Sequence, residues 1–364
     1  MKEIVWPEHL EYLGSIDFSE FTELEEINMP DKIDSGSVGI SKMPASLKRA
    51  KFPEGKEIVY WEAFRKCTNL TEVQLPASIE TIWYDAFNGC ENLESVTFNE
   101  GSHLKSIGAR AFKDCTALKK IALGNEVEKI EEDAFMGCTS LTEAVVPSGK
   151  TFYNGRYLEE FSTSRTFDEC PNLASLTLGS ENVNMSANST MTGLKKITLL
   201  DTVKEISKGT CPNVEEIVIP ASVKTIAWNA FEKWTGLRKV TILGEKVRLT
   251  EKMFAGCTSL EEVNIEGEVT SVGNSAFSGC KNLKKIDQSK LLKNMWEIPD
   301  SLFYGCRSLT EAEIPDHIEI IGIAAYGCTG LTEVDIPRSV NEIKYGAFKG
   351  CRNLKSVFVP AEVE

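Results

Sequence analysis

The chain has 364 residues, 42% of them hydrophobic, and a formal net charge of -14. That acidity argues against nucleic-acid binding and against anionic membrane surfaces, and no run of about 18 apolar residues is present to span a bilayer. The opening MKEIVWPEHL lacks the apolar stretch of a secretory signal, because Pro7 and Glu8 interrupt it; the chain is expected to be intracellular, or to lack its targeting segment.

Along the chain, the first element is a partial unit at about residues 4–20, where IVWPEHLEYL reads as a strand ending at proline. About fifteen fuller units follow, anchored on Leu24, Leu47, Leu70, Leu93, Leu118, Leu141, Leu173, Leu194, Val214, Leu237, Leu260, Leu283, Leu309, Leu331 and Leu354. Most intervals are 23 residues; the largest is the 32 before Leu173. In a representative unit, Leu70 to Pro76 alternates around Val73 and Leu75, which is strand period. Pro76 ends the ladder where its missing N–H costs least. Ile79 and Ile82 turn back over the core. The segment YDAFNGC is expected to form one turn of α or 3₁₀ helix, with Gly89 free to take φ > 0 on re-entry. One coil cannot bury its apolar residues alone, so stacked coils must share one core. Residues 1–364 are therefore read as a single solenoid.

The consensus is C-x-x-L-x-x-[IV]-x-[LI]-P-x-x-[IV]-x-x-I, closed by A-F-x-G. The pattern A-F-x-x-C-x-x-L-x-x-I-x-L-P resembles the BspA-like leucine-rich repeat family over roughly residues 4 to 360. The resulting expectation is an α/β repeat: a leucine-rich repeat solenoid with a concave parallel β-sheet and short helical, 3₁₀ or irregular convex segments. The resemblance also implies a non-enzymatic protein-interaction module without cofactors. It would be placed on a bacterial cell surface or secreted, for adhesion to a host or neighbouring-cell macromolecule. Two departures stand out. The asparagine ladder of leucine-rich repeats is missing, with Ser78 and its equivalents near its place. The units around Met191 and Cys211 are short, which predicts a distorted sheet there.

All eleven cysteines occupy one repeat position, from Cys67 to Cys351, and Phe21, Met191 and Trp234 substitute for them elsewhere. Such substitutes indicate an apolar, space-filling slot. Equivalent Cβ atoms on coils about 4.8 Å apart are too distant for disulfides, and a linear row does not converge on a metal. His9, His103 and His317 share another repeat position in distant coils, so they make no joint site. No nucleophile–base pair or phosphate loop is found, and no catalytic or metal-ligating residue is assigned. Asn69, Asn184 and Asn188 match the weak N-x-[ST] pattern.

Binding candidates come from surfaces where the repeat breaks. One outward strand column runs Glu26, Arg49, Glu72, Ser95, Lys120, Glu143, Ser175, Lys196, Glu216, Lys239, Glu262, Lys285, Glu311, Glu333, Ser356. Its sign alternation predicts a ladder that fixes register more than it stabilises, at about 0–1 kcal/mol per pair. The alternation fails near the end, where Asp287, Glu311, Glu313, Glu333 and Asp335 are expected to share one acidic patch for a basic partner or a divalent cation, or to be plain solvated surface. The nine-residue excess within residues 148–167 carries Phe152, Tyr153, Arg156, Tyr157 and Phe161. It is read as a recognition loop, or as aromatics folded onto the solenoid flank. Two alternatives stand beside surface adhesion: an intracellular scaffold, and a carbohydrate-binding surface near that loop or near Trp83, Tyr84 and Trp228. The last unit, LKSVFVPAEVE, has no polar cap and places Phe358 outward on an edge strand, so a downstream segment or an end-to-end association between chains is expected.

Overall fold

The structure, a computed structural model, describes residues 3–4, 17–30, 43–153, 156–157, 161–187, 190–328 and 330–359. His9, Asn188 and most of the partial first unit lie outside them. The chain divides into two compact units, one of residues 1–183 and 187–194, the other of residues 184–186 and 195–364. Each is a stack of parallel-strand coils with very little helix.

In the first unit, a parallel sheet runs through Glu3–Ile4, Glu26–Asn28, Arg49–Lys51, Glu72–Leu75, Ser95–Phe98, Lys120–Ala122, Glu143–Val146 and Ser175–Leu178. The alternation reads out directly: Val73 and Leu75 are buried, Glu72 and Gln74 exposed. In the second unit the sheet comprises Lys196–Leu199, Glu216–Ile219, Lys239–Ile242, Glu262–Ile265 and Lys285–Ile286. Pairing is reduced near Cys211, as it also is between Ser95–Phe98 and Lys120–Ala122 in the first unit. The first two strands of the second unit pair through Lys196 and Glu216 alone, whereas Glu216–Ile219 meets Lys239–Ile242 over four positions.

The turn-back residues also form a sheet, which the sequence pattern did not announce because each strand is only two to five residues long. In the first unit it runs Ile58–Val59, Thr81–Ile82, Ser106–Ile107, Lys129–Glu131 and Lys150–Tyr153. In the second unit, Glu297–Ile298, Ile320–Ile321 and Glu342–Ile343 pair likewise.

YDAFNGC corrects the helical expectation. Asp85 and Gly89 both take left-handed backbone, with φ of 54° and 75°, and a helix cannot pass through them. The backbone donors alternate instead. Ala86, Asn88 and Cys90 donate three residues back, at 3.1–3.3 Å, while Asp85, Phe87 and Gly89 donate to Ala109, Ala111 and Lys113 of the next coil, at 2.7–2.9 Å. Local turns and coil stacking thus share the donors between them. Among the described residues the only helices are Thr163–Thr166 and Gln288–Leu292.

The core is a ring stack beside a thiol row. Phe64, Phe87, Phe112, Phe135 and Phe167 stack at centroid distances of 5.2–5.5 Å. Phe231, Phe254, Phe277, Phe303, Tyr326 and Phe348 do the same in the second unit, at 5.2–5.9 Å. All eleven cysteines are free thiols, and all but the half-buried Cys351 are buried. They are more than filler. The Sγ–H of Cys90, Cys115, Cys138 and Cys170 donates to the carbonyls of Phe64, Phe87, Phe112 and Phe135 one coil back, at 3.0–3.2 Å. Trp234, in the same slot, donates its Nε1–H to the Gly209 carbonyl at 3.0 Å. In the coils with Cys or Trp234 the slot therefore holds an apolar side chain that still donates to a buried carbonyl, whereas Phe21 and Met191 fill it without a donor. Such donation is the bridging work expected of a buried asparagine. Asparagines do bridge coils, but at the surface: Asn69, Asn92 and Asn172 donate to Ala45, Thr68 and Thr139 carbonyls at 2.6–2.8 Å. Ser78 bridges to Lys56 at 2.8 Å.

Candidate binding surface

The outward strand column exists in the expected register. Glu26 sits opposite Arg49, Arg49 opposite Glu72, and Lys120 opposite Glu143. In the second unit Glu216, Lys239, Glu262 and Lys285 follow one another. Glu26 takes both Arg49 at 3.0 Å and Lys51 at 2.6 Å. The Lys51 and Arg49 hydrogen bonds hold its carboxyl below the usual range. A parallel charge ladder runs one residue earlier, and the sequence reading missed it. It joins Glu25 to Lys48, Glu94 to Lys119, Lys195 to Glu215, and Glu261 to Arg238 and Lys284. The same repeat spacing carried that signal, one position before the column that was read.

The five acidic candidates do not sit on one continuous sheet. The ladder stops at Lys285–Ile286 because Asp287 caps the following helix, accepting the Lys290 N–H at 2.7 Å. Buried Gln288 then takes the place of a strand pairing. Its side chain donates to the Glu311 carbonyl at 2.9 Å and accepts from the Glu313 N–H at 3.3 Å and the Tyr326 hydroxyl at 3.2 Å. Glu313 accepts from the Ser289 hydroxyl. Glu333 and Asp335 lie on an exposed strand paired with Ser356–Phe358. All five are exposed. Among the described residues none of Glu311, Glu313, Glu333 and Asp335 has a basic group within ion-pair distance, and no three His, Cys, Asp or Glu side chains converge as a metal site.

The insertion is not a free loop. Lys150–Tyr153, carrying Phe152 and Tyr153, adds a parallel strand to the turn-back sheet beside Lys129–Glu131. Arg156–Tyr157 folds back on it as an antiparallel partner. Phe161 is fully buried and packs edge-on against Phe167 at 6.5 Å, which removes it from the recognition set. Phe161 lies on the short strand Phe161–Ser162, just before the helix Thr163–Thr166 that leads the chain to Phe167.

The histidines remain separate. His103 pairs with Glu126 at 3.1 Å, and His317 lies 3.1 Å from the Leu292 carbonyl.

These features form a repeat architecture with a specific internal signature, a buried ring, a thiol and an anchor leucine, repeated in most coils. A family model described as "BspA type Leucine rich repeat region (6 copies)" matches residues 1–39, 41–164, 162–284 and 247–364. The chain belongs to that family. No curated protein matches it. Among solved structures, this BspA-type chain is similar to a leucine-rich repeat protein from Bacteroides ovatus, at 25% identity, 95% coverage of this chain and 82% of the other, with a TM-score of 0.47. It is also similar to a leucine rich cell surface protein from Faecalibacterium prausnitzii (24%, 92% and 87%, TM-score 0.35) and to the pneumococcal vaccine antigen PcpA (20%, 96% and 92%, TM-score 0.38). Within this BspA-type chain, the parts that depart from its own repeat are the Gln288 junction, the acidic residues after it, and the strands Lys150–Tyr153 and Arg156–Tyr157. No helix is long and apolar enough to cross a membrane among the described residues.

Proposed function

We propose that the chain is a non-enzymatic interaction module of the bacterial surface type, which binds a basic partner protein through Glu311, Glu313, Glu333 and Asp335. One observation carries this reading. Elsewhere the strand column sets acid against base on neighbouring coils, with ion pairs at Glu26–Arg49, Lys120–Glu143 and Lys239–Glu262, whereas these four carboxylates gather on successive coils, are exposed, and make no ion pair among the described residues. Unmatched like charges on neighbouring coils work against stability, so their presence makes sense if a partner neutralises them. A site of this kind gains on-rate and specificity more than bulk affinity. Placement at the surface rests on family membership.

The test compares wild type with Glu311→Ser, Glu313→Ser, Asp335→Ser combined, against a fluorescent decalysine peptide at rising salt. Wild type should bind in a salt-sensitive way, and the triple variant should lose about tenfold in affinity at an unchanged melting temperature. Equal binding by both proteins would sink the proposal. Surface placement is tested separately, by protease accessibility on intact cells.

A further inference from the structure

We infer that an aromatic ledge on the turn segments of the first unit binds a neutral, hexose-based glycan. Four rings meet there from two successive coils: Tyr60 and Trp61, then Trp83 and Tyr84. Trp61 stacks on Trp83 at 5.1 Å and 28°, and lies nearly parallel to Tyr84 at 6.4 Å and 14°. Tyr60 is buried and tilts against Trp83 at 6.3 Å, which roots the ledge in the core. Trp61 and Trp83 are half-buried, and Tyr84 is 43% exposed.

The fold does not require these rings. Gly108 and Ala109 hold the same two positions in the next coil, and Glu131 and Glu132 hold them in the one after. Those coils keep the same left-handed residue, at Arg110 and Asp133, and the same buried phenylalanine and thiol. The aromatic residues therefore serve the surface. The row also ends abruptly. Gly108 lies directly against the Trp83–Tyr84 backbone, with no room for a Cβ, and Ala109 contributes only a methyl group beside Tyr84. Tyr84 keeps 43% of its surface exposed beside that coil.

The rim decides the class of ligand. Glu62 is paired with Arg65, and Asp85 is held by Arg110 through two hydrogen bonds at 2.9 and 3.1 Å. Each of these two carboxylates is thus matched by a guanidinium, and Lys56 lies over a ledge ring, 6.0 Å from the Tyr60 centroid, so ring surface rather than free carboxylate dominates the ledge. It offers preorganised rings and fixed polar groups at their edge. A pyranose matches both, with its C–H face laid on the rings and its hydroxyls toward carboxylate and guanidinium. The ledge lies off the strand face, so this inference stands apart from the acidic site.

The test is a neutral-glycan array followed by titration of the best hit, read by tryptophan emission. At least one neutral hexose oligomer should give a saturable change. Trp61→Ala with Tyr84→Ala should weaken it by about tenfold or more. Ala109→Arg should weaken it similarly while keeping every ring, which covers the case where the double variant fails to fold. Trp228→Ala, at an exposed indole elsewhere, should change nothing. Silence across the array, binding unaffected by Ala109→Arg, or loss of only a protein ligand in these variants would each overturn the inference.

Discussion

Phe112→Ala probes the stack most directly. Phe112 is fully buried and lies between Phe87 and Phe135, each at 5.2 Å with interplanar angles of 7° and 1°. Truncating such a ring costs about 3–5 kcal/mol, in lost transfer energy plus a cavity that stacked coils cannot collapse, and two parallel ring contacts add to it. Phe348 is the same residue at the same repeat position. It is half-exposed and stacks on Tyr326 alone among the described rings, at 5.8 Å. With less burial and one ring contact, Phe348→Ala should cost less, about 2–3 kcal/mol. Stability in a solenoid is a sum of coil terms and nearest-neighbour terms, so the damage should be local. Hydrogen exchange read by mass spectrometry is the suitable assay, because a chain of two compact units need not unfold in one step. Phe112→Ala should deprotect the backbone donors at Phe87 and Phe112, while the strand Glu26–Asn28 keeps its protection. Equal costs for the two substitutions, or uniform deprotection of the first unit, would refute the nearest-neighbour account.

Two further outcomes follow from titratable groups. Burial pushes the thiols of Cys67, Cys170, Cys257 and Cys306 up to about 12. A raised folded value means the protonated form is favoured in the native state, so its stabilisation is complete below the unfolded thiol range and is lost as pH climbs toward 12. Melting temperature should fall steadily between about pH 9 and 11, and a flat profile there would contradict it. In the native protein at pH 8, Cys351 should be the most rapidly labelled thiol by Ellman's reagent, with the ten buried ones waiting for denaturant. For Asp85, burial would raise the carboxyl, but the Arg110 and Asn88 hydrogen bonds outweigh it and hold it below the usual range. Its contribution is present above the unfolded carboxylate range and is lost as pH falls through the folded value. Arg110→Met should therefore destabilise by about 1–3 kcal/mol at pH 7, since Asp85 is nearly buried while Arg110 is partly exposed. The penalty should shrink by pH 3; chemical denaturation at both pH values gives the comparison.

Much of this molecule was legible because a repeat reports the same physics many times over. The spacing of Leu70, Val73 and Leu75 gave strand, face and register together, since a pleat has period two and coils stack in parallel. The alternation of Glu216, Lys239 and Glu262 gave neighbouring partners on the same ground. Reading cysteine as filler was half right: Trp234 preserves the thiol's hydrogen-bond donor as well as its bulk, and only atomic neighbours distinguish the two.

What the sequence determined by itself was everything that recurs: the coil, its buried ring and thiol, and the family. Tertiary structure decided what happens where the recurrence fails. Asp287 looks like one more acidic residue of a column until its oxygen is found on the Lys290 N–H, which ends the sheet and lets Gln288 bridge the gap. Phe161 looks like a recognition aromatic until it is found buried edge-on against Phe167. Asp85 and Gly89 turn an expected helical turn into alternating local and inter-coil bonds. In each case the outcome depends on a partner in another coil or another element, and a periodic pattern carries no information about a contact that occurs only once.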